Sequence, residues 1–325
     1  MTIAQLRNDS NVGWLIGTGL ISVDYISVLK EFDVEVIVIG RGEASASEFE
    51  KKTGVTVEKG GLSLFLESNP ILPGFAIVCV QEHGLASIGL ELMAYGVSNI
   101  LLEKPGALNI PDISKLIKVS SVTQTRILLG YNRRFYQSVM GCQDLLSGSY
   151  KGTHVHFEFT EWLHTINFDR YNDEELSKWF LCNSSHVVDL FFFLFGKPTH
   201  LHSRVLGGLD WHPSGTIFSG SGETERGVVF TYHAHWGSVG RWGMDISVSD
   251  QKMIFRPLER LALQKKGCLD VVEKELDYSM DVRFKPGLFF QVKAFLEGDD
   301  DRFCTLNDQL DHFKWFYKMA NYSDS

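Results

Sequence analysis

Short apolar runs alternate with amphipathic segments between residues 12 and 129, and this alternation restricts the fold more than any other feature of the chain. It is typical of βα units, in which successive strands lie parallel in one sheet and helices cover its faces. The expected strands are Val12–Ile16, Val34–Ile39, Val55–Val57, Phe75–Val80, Asn99–Leu102 and Arg126–Leu129. The expected helices are Ile21–Lys30, Ala44–Lys52, Leu62–Glu67, Leu85–Tyr95 and Ile113–Ser120. We therefore predict a doubly wound parallel sheet with right-handed connections.

After about residue 120 the pattern changes to runs of alternating polarity separated by glycine-rich turns, as in antiparallel strands. The expected strands are Thr153–Thr160, Thr199–Leu206, Gly227–His235, Trp242–Val248 and Met253–Arg256, and the expected helices are Asn183–Phe195, Pro286–Leu296 and Leu306–Ala320. The sequence thus predicts two domains: an α/β domain over residues 1–120, and an α+β domain with an open, mostly antiparallel sheet over residues 121–325.

Composition excludes several classes of protein. The chain has 325 residues, 44% of them hydrophobic, and 31 basic against 40 acidic side chains give a net charge of −9. This much apolar surface argues against a disordered chain. The sequence has no run rich in lysine and arginine, so we expect no nucleic-acid partner. Its longest apolar runs, such as Leu190–Phe195, fall far short of the roughly 20 residues that span a bilayer, and Met1–Ser10 lacks the apolar core of a secretion signal.

The 5 cysteines are odd in number and widely spaced, with no CxxC pair, which is typical of reduced thiols. We therefore expect a cytoplasmic protein without disulfides. The pairs His154/His156 and His233/His235 alternate on expected strands, but no cysteine or carboxylate at ligand spacing accompanies them. We accordingly expect no bound metal, and place His235 on the sheet face or at the rim of a substrate site.

The first expected strand runs into a glycine-containing turn, Gly17–Ser22, and then into a helix. This is the context of a dinucleotide-binding turn, in which glycines allow a tight bend and let backbone N–H groups approach a pyrophosphate at the helix N-terminus. Ser22 takes the place of the third glycine of the fingerprint, a modest departure. The first domain is therefore expected to be a Rossmann domain, and the expected cofactor-contacting residues of the turn are Gly17, Thr18, Gly19, Leu20 and Ile21.

The end of the second strand indicates which dinucleotide is preferred. An acidic residue is expected there to bind the ribose 2′-hydroxyl of NAD, whereas this chain has Gly40, Arg41 and Gly42. A guanidinium can grip a 2′-phosphate through two hydrogen bonds, and Ser45 offers a hydroxyl nearby. We therefore predict NADP as the cofactor, with NAD possible. The alternative is that Arg41 is an ordinary solvated surface charge.

Three motifs occur in an order found in one known family. Glu103–Lys104–Pro105 ends the fifth strand, Gly130–Phe135 lies at the domain junction, and His186–Asp189 opens a helix. Across essentially its whole length the chain resembles the Gfo/Idh/MocA oxidoreductases, the relatives of glucose-fructose oxidoreductase and inositol dehydrogenase. Within that family it resembles most the members associated with unusual sugars of bacterial surface polysaccharides.

The resemblance implies that Lys104 reaches the substrate beside the nicotinamide, that Glu103 orients the lysine or the cofactor, and that Pro105 follows a cis bond. A lysine at the carboxyl end of a parallel strand points a cation into the usual ligand crevice, where it stabilises negative charge on the reacting oxygen. His186 is the second expected catalytic residue, because an imidazole suits acid–base work near neutral pH. Its alternative is a structural role at a helix start. Asp189 is expected to be structural.

The chain departs from the family at Cys182, where many members carry an aspartate four residues before the histidine. A thiol cannot replace a carboxylate that holds an imidazolium. Two alternatives remain open: an acid from elsewhere in the chain, with Asn183 or Tyr131 as neutral hydrogen-bonding partners of His186, or a shorter proton relay.

The expected substrate-binding side chains follow the parallel sheet or lie near the histidine: Asn132, Arg133, Arg134, Trp162, Cys182, Asn183 and His235. An arginine here can clamp a carboxylate or the diphosphate of a nucleotide sugar, and one of Arg133 and Arg134 is expected only to tie the domains together. For Trp162, stacking on a sugar face and burial in the core are equally open.

The sequence therefore predicts an NAD(P)-dependent oxidoreductase that acts on a sugar or nucleotide sugar and forms a homodimer or homotetramer through its open sheet. The alternatives are a catalytically silent dinucleotide-binding regulator or scaffold on the same fold, and a lyase or hydrolase that uses a bound cofactor transiently.

Overall fold

The computed structural model describes residues 8–146 and 150–323, which form two compact units. The first unit contains the described residues up to Tyr131 together with Leu288–Leu310. The second contains the described residues of Asn132–Gly287 together with those from Asp311 onward. The predicted boundary near residue 120 thus lies about one strand too early, and the return of residues 288–310 to the first unit leaves no mark in the local sequence pattern.

Fifteen strands form two sheets among the described residues. In chain order they are β1 (Asn8–Ile16), β2 (Glu35–Gly40), β3 (Val57–Lys59), β4 (Leu72–Val78), β5 (Asn99–Glu103), β6 (Arg126–Gly130), β7 (His154–Glu158), β8 (Pro198–Leu206), β9 (Ile217–Thr224), β10 (Val229–His235), β11 (Gly243–Ser247), β12 (Gln251–Phe255), β13 (Ala262–Lys265), β14 (Val271–Glu273) and β15 (Cys304–Thr305).

The α-helices are α1 (Leu20–Leu29), α2 (Glu43–Thr53), α3 (Leu62–Glu67), α4 (Leu85–Tyr95), α5 (Ile110–Thr123), α6 (Gln137–Leu146), α7 (Asp173–Ser177), α8 (Ser185–Phe195), α9 (Ser279–Arg283), α10 (Leu288–Glu297) and α11 (Leu306–Ala320). Within the described ranges, none of these helices has the length and apolar character needed to cross a membrane.

The first unit is built on a seven-stranded sheet in the order β15-β6-β5-β4-β1-β2-β3. Strands β1 to β6 pair in parallel, and only β15 is antiparallel. The central strands carry continuous apolar runs that are buried on both faces, such as Trp14–Ile16, Ala76–Val78 and Ile100–Leu102. Continuous rather than alternating burial is what helices on both faces of a parallel sheet require. The predicted doubly wound Rossmann fold is confirmed.

The second unit is built on an eight-stranded sheet in the order β14-β13-β12-β11-β7-β10-β9-β8. Only β7 and β10 pair in parallel, so the sheet is mostly antiparallel, as predicted. Helix α8 supplies much of its core: Phe191 stacks on Phe157 of β7 with ring centroids 4.7 Å apart. Three strands of this sheet, β9, β13 and β14, were not expected from the sequence.

Strand β9 escaped prediction because its glycines are read as turn residues. In the sheet, Gly220 and Gly222 lie beneath the rings of Tyr232 and Phe230 on the neighbouring strand β10. A Cβ atom at Gly222 would come within 2.7 Å of the Phe230 ring. The two glycines therefore make room for large aromatic side chains, a packing role that local propensity does not reveal.

A π-helical turn, Phe180–Ser184, leads directly into α8. The sequence predicted an ordinary helix from Asn183, so the helical character is confirmed and the wider turn is new. Such turns place one additional residue in a helical coil and are frequent at functional sites. Here the turn brings Asn183 and Ser184 beside the loop that follows β7.

Candidate functional site

Gly17 makes the bend between β1 and α1. Its φ of +116° lies in the region that favours glycine, and a Cβ atom there would overlap the backbone carbonyl of Cys79. Its N–H donates to the carbonyl of Ile39 at the end of β2, with 2.8 Å between nitrogen and oxygen. The glycine at this position is thus required by the fold as well as by any ligand.

Gly19 caps the N-terminus of α1 and differs from Gly17 in what surrounds it. A Cβ atom at Gly19 would meet no heavy atom within 4 Å, so the space beside the helix start is open. The helix is 10 residues long, and its first N–H groups have no intrahelical acceptors. Leu20, the first helical residue, is 58% exposed. Open space, free N–H groups and the positive end of a helix dipole fit a pyrophosphate.

Ser22, at the position of the third fingerprint glycine, is fully buried. It lies beside the Cys79 thiol, whose pKa is raised well above its usual value, first by burial and then by the charge of Glu103. The helix accommodates the serine side chain in its interior. The departure from glycine therefore leaves the turn intact.

The end of β2 carries the residues predicted to choose the dinucleotide. Arg41 is exposed directly after the strand. The hydroxyl of Thr18 in the glycine turn donates to the Ser45 hydroxyl at 3.1 Å, and Ser45 donates to the carbonyl of Gly42 at 3.1 Å. The acidic residue of the next turn, Glu43, is already paired with Lys59 at 2.7 Å. An exposed guanidinium beside two hydroxyl groups fits a phosphate better than a pair of ribose hydroxyls.

Lys104 follows β5 and is largely buried, with 11% of its side chain exposed. Its ammonium nitrogen lies 3.9 Å from a carboxylate oxygen of Glu82, which is 19% exposed in the short helical turn after β4. The Lys104–Pro105 peptide bond is cis, as the family resemblance implies. Glu82 was not singled out from the sequence, although its place shortly after an expected strand was a usable signal.

Glu103 is held by a short hydrogen-bonded chain inside the first unit. The Tyr25 hydroxyl donates to Glu103 Oε1 at 2.7 Å, and Gln291 on α10 donates to the Tyr25 oxygen at 2.7 Å. Burial, followed by the nearby Glu103 charge, raises the pKa of Tyr25 well above its usual value, so the phenol stays a donor. A Cβ atom at Gly130 would come within 3.0 Å of Glu103 Oε1, so the glycine leaves room for this chain.

These groups lie at one edge of the first sheet. The strand order reverses between β4 and β1, and the glycine turn, Arg41, Glu82 and Lys104 all follow the carboxyl ends of central strands. In open α/β sheets, ligands bind in the crevice outside the carboxyl ends at such a reversal. The predicted cofactor residues are therefore brought together in the first unit.

In the second unit, His186 lies in the first turn of α8 and is 6% exposed. Its ring centroid is 5.9 Å from that of Trp242. Two guanidinium groups flank the same tryptophan: Arg133 at 4.7 Å and Arg241 at 4.9 Å from the ring centroid. The histidine thus belongs to a cluster with two cations and an aromatic ring, and Trp242 is a buried member of this cluster rather than a surface residue.

A carboxylate that the sequence did not single out belongs to this region. Glu161 lies three residues beyond β7 and is 2% exposed. Ser184 donates to Glu161 Oε1 at 2.6 Å, and Asn183 donates to Oε2 at 2.7 Å. Burial raises the pKa of Glu161 to about 7, against the opposing effects of Ser184, Arg241, Asn183 and Trp242. In the sequence, an isolated Glu–Trp pair after a strand does not indicate that the glutamate is buried or that Ser184 and Asn183 bind it.

Cys182 is a correction to the predicted substrate residues. Its thiol is 2% exposed and contacts the carbonyl oxygen of Glu175 at 3.5 Å, which places it in the interior beside α7. Of the two neutral partners proposed for His186, Asn183 is engaged with Glu161, and Tyr131 donates to Gln309 within the first unit at 3.2 Å. Neither of them is therefore shown beside His186, and the source of an acid for this histidine stays a prediction.

A cleft of about 570 Å³ opens beside Glu161 in the second unit. We call it the Trp162 cleft, and it is lined by Glu161, Trp162, Leu163, His164, Trp236, Gly237, Ser238, Val239 and Gly240. Trp162 is 43% exposed, its indole nitrogen donates to the Gly240 carbonyl at 2.7 Å, and Arg241 covers its ring at 4.6 Å. Of the two interpretations of Trp162, the structure therefore excludes the buried core residue.

Arg134 and Asn132 are also corrections. Arg134 is 4% exposed and makes two hydrogen bonds to Asp189, at 2.8 and 2.6 Å, so its guanidinium is committed inside the unit. Asn132 is 5% exposed; it donates to the Pro286 carbonyl at 2.9 Å and accepts from Arg133 at 3.0 Å. Both act in packing. The structural role expected for Asp189 is confirmed, and of the junction residues only Arg133 reaches the His186 cluster.

His235 is exposed at the end of β10, and its Nδ1 accepts from the N–H of Gly237, which lines the Trp162 cleft, at 3.2 Å. His235 thus lies beside the Trp162 cleft, and its place at the rim of a substrate site stays a prediction. The other strand histidines stack across neighbouring strands: the rings of His156 and His233 are 5.1 Å apart, and their nitrogens lie 3.2 Å from each other. This pair lies on the sheet and not in the cleft lining.

The fold and the first-unit site together define a class: a Rossmann-type α/β unit with a glycine turn suited to a dinucleotide, followed by a unit on an open, mostly antiparallel sheet. No protein-family model and no curated protein sequence matches the chain. Solved structures with this fold are NAD(P)-dependent oxidoreductases, at sequence identities that show the fold alone.

Three of these solved structures cover nearly the whole chain. An oxidoreductase from Agrobacterium radiobacter in complex with NAD+, L-tartaric acid and magnesium is 13% identical over 97% of this chain and 96% of its own, with a TM-score of 0.77. UDP-N-acetylglucosamine 3-dehydrogenase from Acidithiobacillus ferrooxidans is 14% identical over 96% and 97%, with a TM-score of 0.73. Biliverdin reductase from Synechocystis, in complex with biliverdin and NADP+, is 14% identical over 97% and 98%, with a TM-score of 0.71.

Proposed function

We propose that the protein is an NADP-preferring oxidoreductase that acts on a hydroxyl or keto carbon of a sugar or nucleotide sugar, within the Gfo/Idh/MocA family and in the cytoplasm. One observation carries the proposal: the open space and free N–H groups beside Gly19 lie at the same sheet edge as the buried Lys104. The first feature fits a pyrophosphate, and the second supplies a cation where a reacting oxygen gains negative charge.

The residues that hold the dinucleotide are those of the glycine turn, with Arg41 and Ser45 at a 2′-phosphate and Glu103, Lys104 and Pro105 near the nicotinamide end. When bound, the dinucleotide would supply the acceptor or donor of a hydride for a carbon of the substrate. The chain's own part is to bind and orient the two reactants, because positioning supplies a large share of such rate enhancements.

Lys104 donates a hydrogen bond to the substrate oxygen and stabilises its developing charge. Glu82, 3.9 Å from the ammonium, holds the lysine in place. His186, which lies in the same cluster as Arg133 and Arg241 around Trp242, takes or gives a proton.

A sugar substrate is supported by the half-exposed Trp162 and the aromatic lining of its cleft, since indole rings stack on the apolar faces of sugars. It is also supported by the fold shared with a UDP-N-acetylglucosamine dehydrogenase. The resemblance to enzymes of surface-polysaccharide sugars favours a nucleotide sugar, whose diphosphate suits Arg133.

The second candidate is a dinucleotide-binding regulator without turnover. The observation in its favour is Cys182, a buried thiol where many relatives have an aspartate. It predicts NADP binding without any oxidation or reduction of nucleotide sugars.

The test measures NADP binding by calorimetry and turnover by nicotinamide absorbance, with UDP-N-acetylglucosamine and other UDP-sugars in both directions. Lys104→Ala is expected to abolish turnover and to leave NADP affinity within about threefold, since the lysine acts on the substrate oxygen. The matched control Lys115→Ala changes an exposed lysine on α5 and should behave as wild type. Full turnover in Lys104→Ala would refute the proposed role, and binding without turnover in the wild-type chain would favour the regulator.

A further inference from the structure

Glu161 is the one buried carboxylate among the residues that line the Trp162 cleft. A buried carboxylate costs free energy unless hydrogen bonds or charges compensate it, so its presence beside a ligand-sized cavity calls for an explanation. The neighbouring strand end offers a comparison: Glu158 is paired with His233 on the sheet, outside the cleft lining. Glu161 instead has neutral donors as its hydrogen-bonding partners.

Those two donors fix the carboxylate and still let it change its protonation state. The hydroxyl of Ser184 can rotate from donor to acceptor, so Oε1 can carry a proton without losing the 2.6 Å contact. The amide of Asn183 holds Oε2 at 2.7 Å and sets the plane of the carboxyl group. A carboxylate has about four acceptor sites, more than its hydrogen-bonding neighbours Ser184, Asn183 and Trp242 occupy.

We propose that Glu161 is a further catalytic residue that exchanges a proton with a hydroxyl of the sugar in the Trp162 cleft, which deepens the proposed function and rests on it. In the oxidation direction, the O–H bond of the substrate breaks and its proton forms a bond to a carboxylate oxygen of Glu161, which thereby takes the acid–base role that the sequence assigned to His186. The electron pair of the O–H bond stays on the substrate oxygen and becomes the second bond of the carbonyl group, while the carbon loses its hydride to the dinucleotide. The reverse steps apply to reduction.

The electrostatic environment suits this role. Burial places the pKa of Glu161 at about 7, near the pH at which a group exchanges protons most efficiently. Arg241 is the charged side chain that opposes this shift, and it lies over Trp162 at the mouth of the same region. Glu161 therefore exists in both protonation states near neutral pH.

The π-helical turn determines which side chains face Glu161. At the resemblance's position, Cys182 faces Glu175 in the interior, and the next two residues, Asn183 and Ser184, face Glu161. The acid comes from the loop after β7 instead of from the helix. The chain thus keeps a carboxylate at the helix start although the motif lacks one.

The test compares wild type with Glu161→Gln, with Ser184→Ala and with the control Glu223→Gln, which changes an exposed carboxylate on β9. We first record infrared spectra between pH 5 and 9. The band of a protonated carboxyl group should disappear near pH 7 in the wild type and be missing throughout in Glu161→Gln. Identical spectra for the two proteins would overturn the proposal.

Turnover of UDP-sugars with NADP is then measured across the same pH range. Glu161→Gln should lower kcat about 100-fold or more, leave KM and NADP affinity little changed, and remove the acidic limb of the profile. Ser184→Ala should shift that limb to higher pH, because the lost hydrogen bond favours the charged form. Turnover that survives in Glu161→Gln with its acidic limb intact overturns this inference alone. Absence of turnover in the wild-type chain instead rejects the proposed function, and the inference with it.

Discussion

At the scale of a single residue, the proposed preference for NADP depends on Arg41. Its guanidinium is exposed after β2, beside the hydrogen-bonded Thr18 and Ser45 hydroxyls. A hydrogen bond to a charged group contributes about 1.5–3 kcal/mol, so Arg41→Ala should weaken NADP binding about 10-fold or more. NAD, which lacks the 2′-phosphate, should lose less than about threefold. Calorimetric titration with both dinucleotides measures the difference.

The control for Arg41 is Lys51→Ala, which removes an exposed cation from α2, the helix that follows the same loop. It should leave both affinities unchanged. Equal losses of NADP and NAD affinity in Arg41→Ala would contradict the 2′-phosphate assignment.

Glu161 should also determine how stability depends on pH. Its pKa is raised from 4.5 to about 7 in the folded state, so folding favours the protonated form. The associated stability is fully present below about pH 4.5 and is lost as pH rises through 7. At about 1.4 kcal/mol per pH unit, the loss is about 3 kcal/mol. Glu161→Gln, which cannot ionise, should therefore gain stability over wild type between pH 5 and 8 in denaturant unfolding.

In the same experiment Glu223→Gln should follow the wild-type pH dependence, since that carboxylate is exposed. A constant difference between wild type and Glu161→Gln at every pH would mean that Glu161 stays ionised in the folded protein.

The residues that sequence alone identifies are those whose role follows from a motif. Lys104 at a strand end and the glycines of the turn lie where their patterns predicted. Glu161 and Glu82 were missed and Arg134 was misassigned, because their roles depend on burial and on partners remote in sequence. The sequence around a carboxylate does not show whether the folded protein buries it or exposes it to solvent.

At the scale of elements, the two glycines of the β1–α1 turn have different roles. Gly17 allows a backbone conformation that the fold needs, and Gly19 leaves space for a ligand. Gly17→Ala should lower both stability and NADP affinity, since its φ of +116° alone costs a side chain about 1–3 kcal/mol. Gly19→Ala should cost less than about 1 kcal/mol of stability, because its backbone is extended and its Cβ meets open space. Yet that Cβ occupies the space a pyrophosphate needs, so NADP affinity should fall at least about 10-fold.

Thermal unfolding and NADP titration of the two glycine variants check this pair, and each variant is the control for the other. If Gly19→Ala bound NADP as tightly as wild type, the pyrophosphate could not lie beside the start of α1.

The parallel strands were predictable as elements because burial on both faces leaves uninterrupted apolar runs. Strand β9 could not be predicted, because glycine has a low strand propensity and its glycines are there to make room for the aromatic rings of β10. The parallel pairing of β7 with β10 could not be predicted either, since each strand alone shows the alternating pattern that is typical of antiparallel strands.

At the scale of the whole molecule, the first unit is completed by a segment distant in sequence. Gln291 on α10 bonds to Tyr25, Phe289 stacks on Phe32 at 5.5 Å, and Asp300 pairs with Arg126. Residues 1–131 alone should therefore fail to bind NADP, although they contain every predicted cofactor residue. Joining residue 131 to residues 288–310 through a short glycine linker should restore folding and binding, because Asn132 and Gly287 lie in contact.

Circular dichroism and NADP titration of the two shortened chains test this. Stable folding and binding by residues 1–131 alone would show that the returning segment is dispensable. The predicted homodimer or homotetramer stays a prediction, which the mass of the intact protein in solution decides.

The π-helical turn Phe180–Ser184 has a consequence for comparing this chain with distant relatives. A π-helical turn holds one additional residue. The side chains before it are therefore rotated around the helix axis relative to the side chains after it. Counting back from His186 in α-helical steps therefore assigns a residue to the wrong face, and at 13% identity an ungapped alignment would do so unnoticed. Deleting one residue from the turn would restore the ordinary phase and exchange which side chain looks towards Glu161.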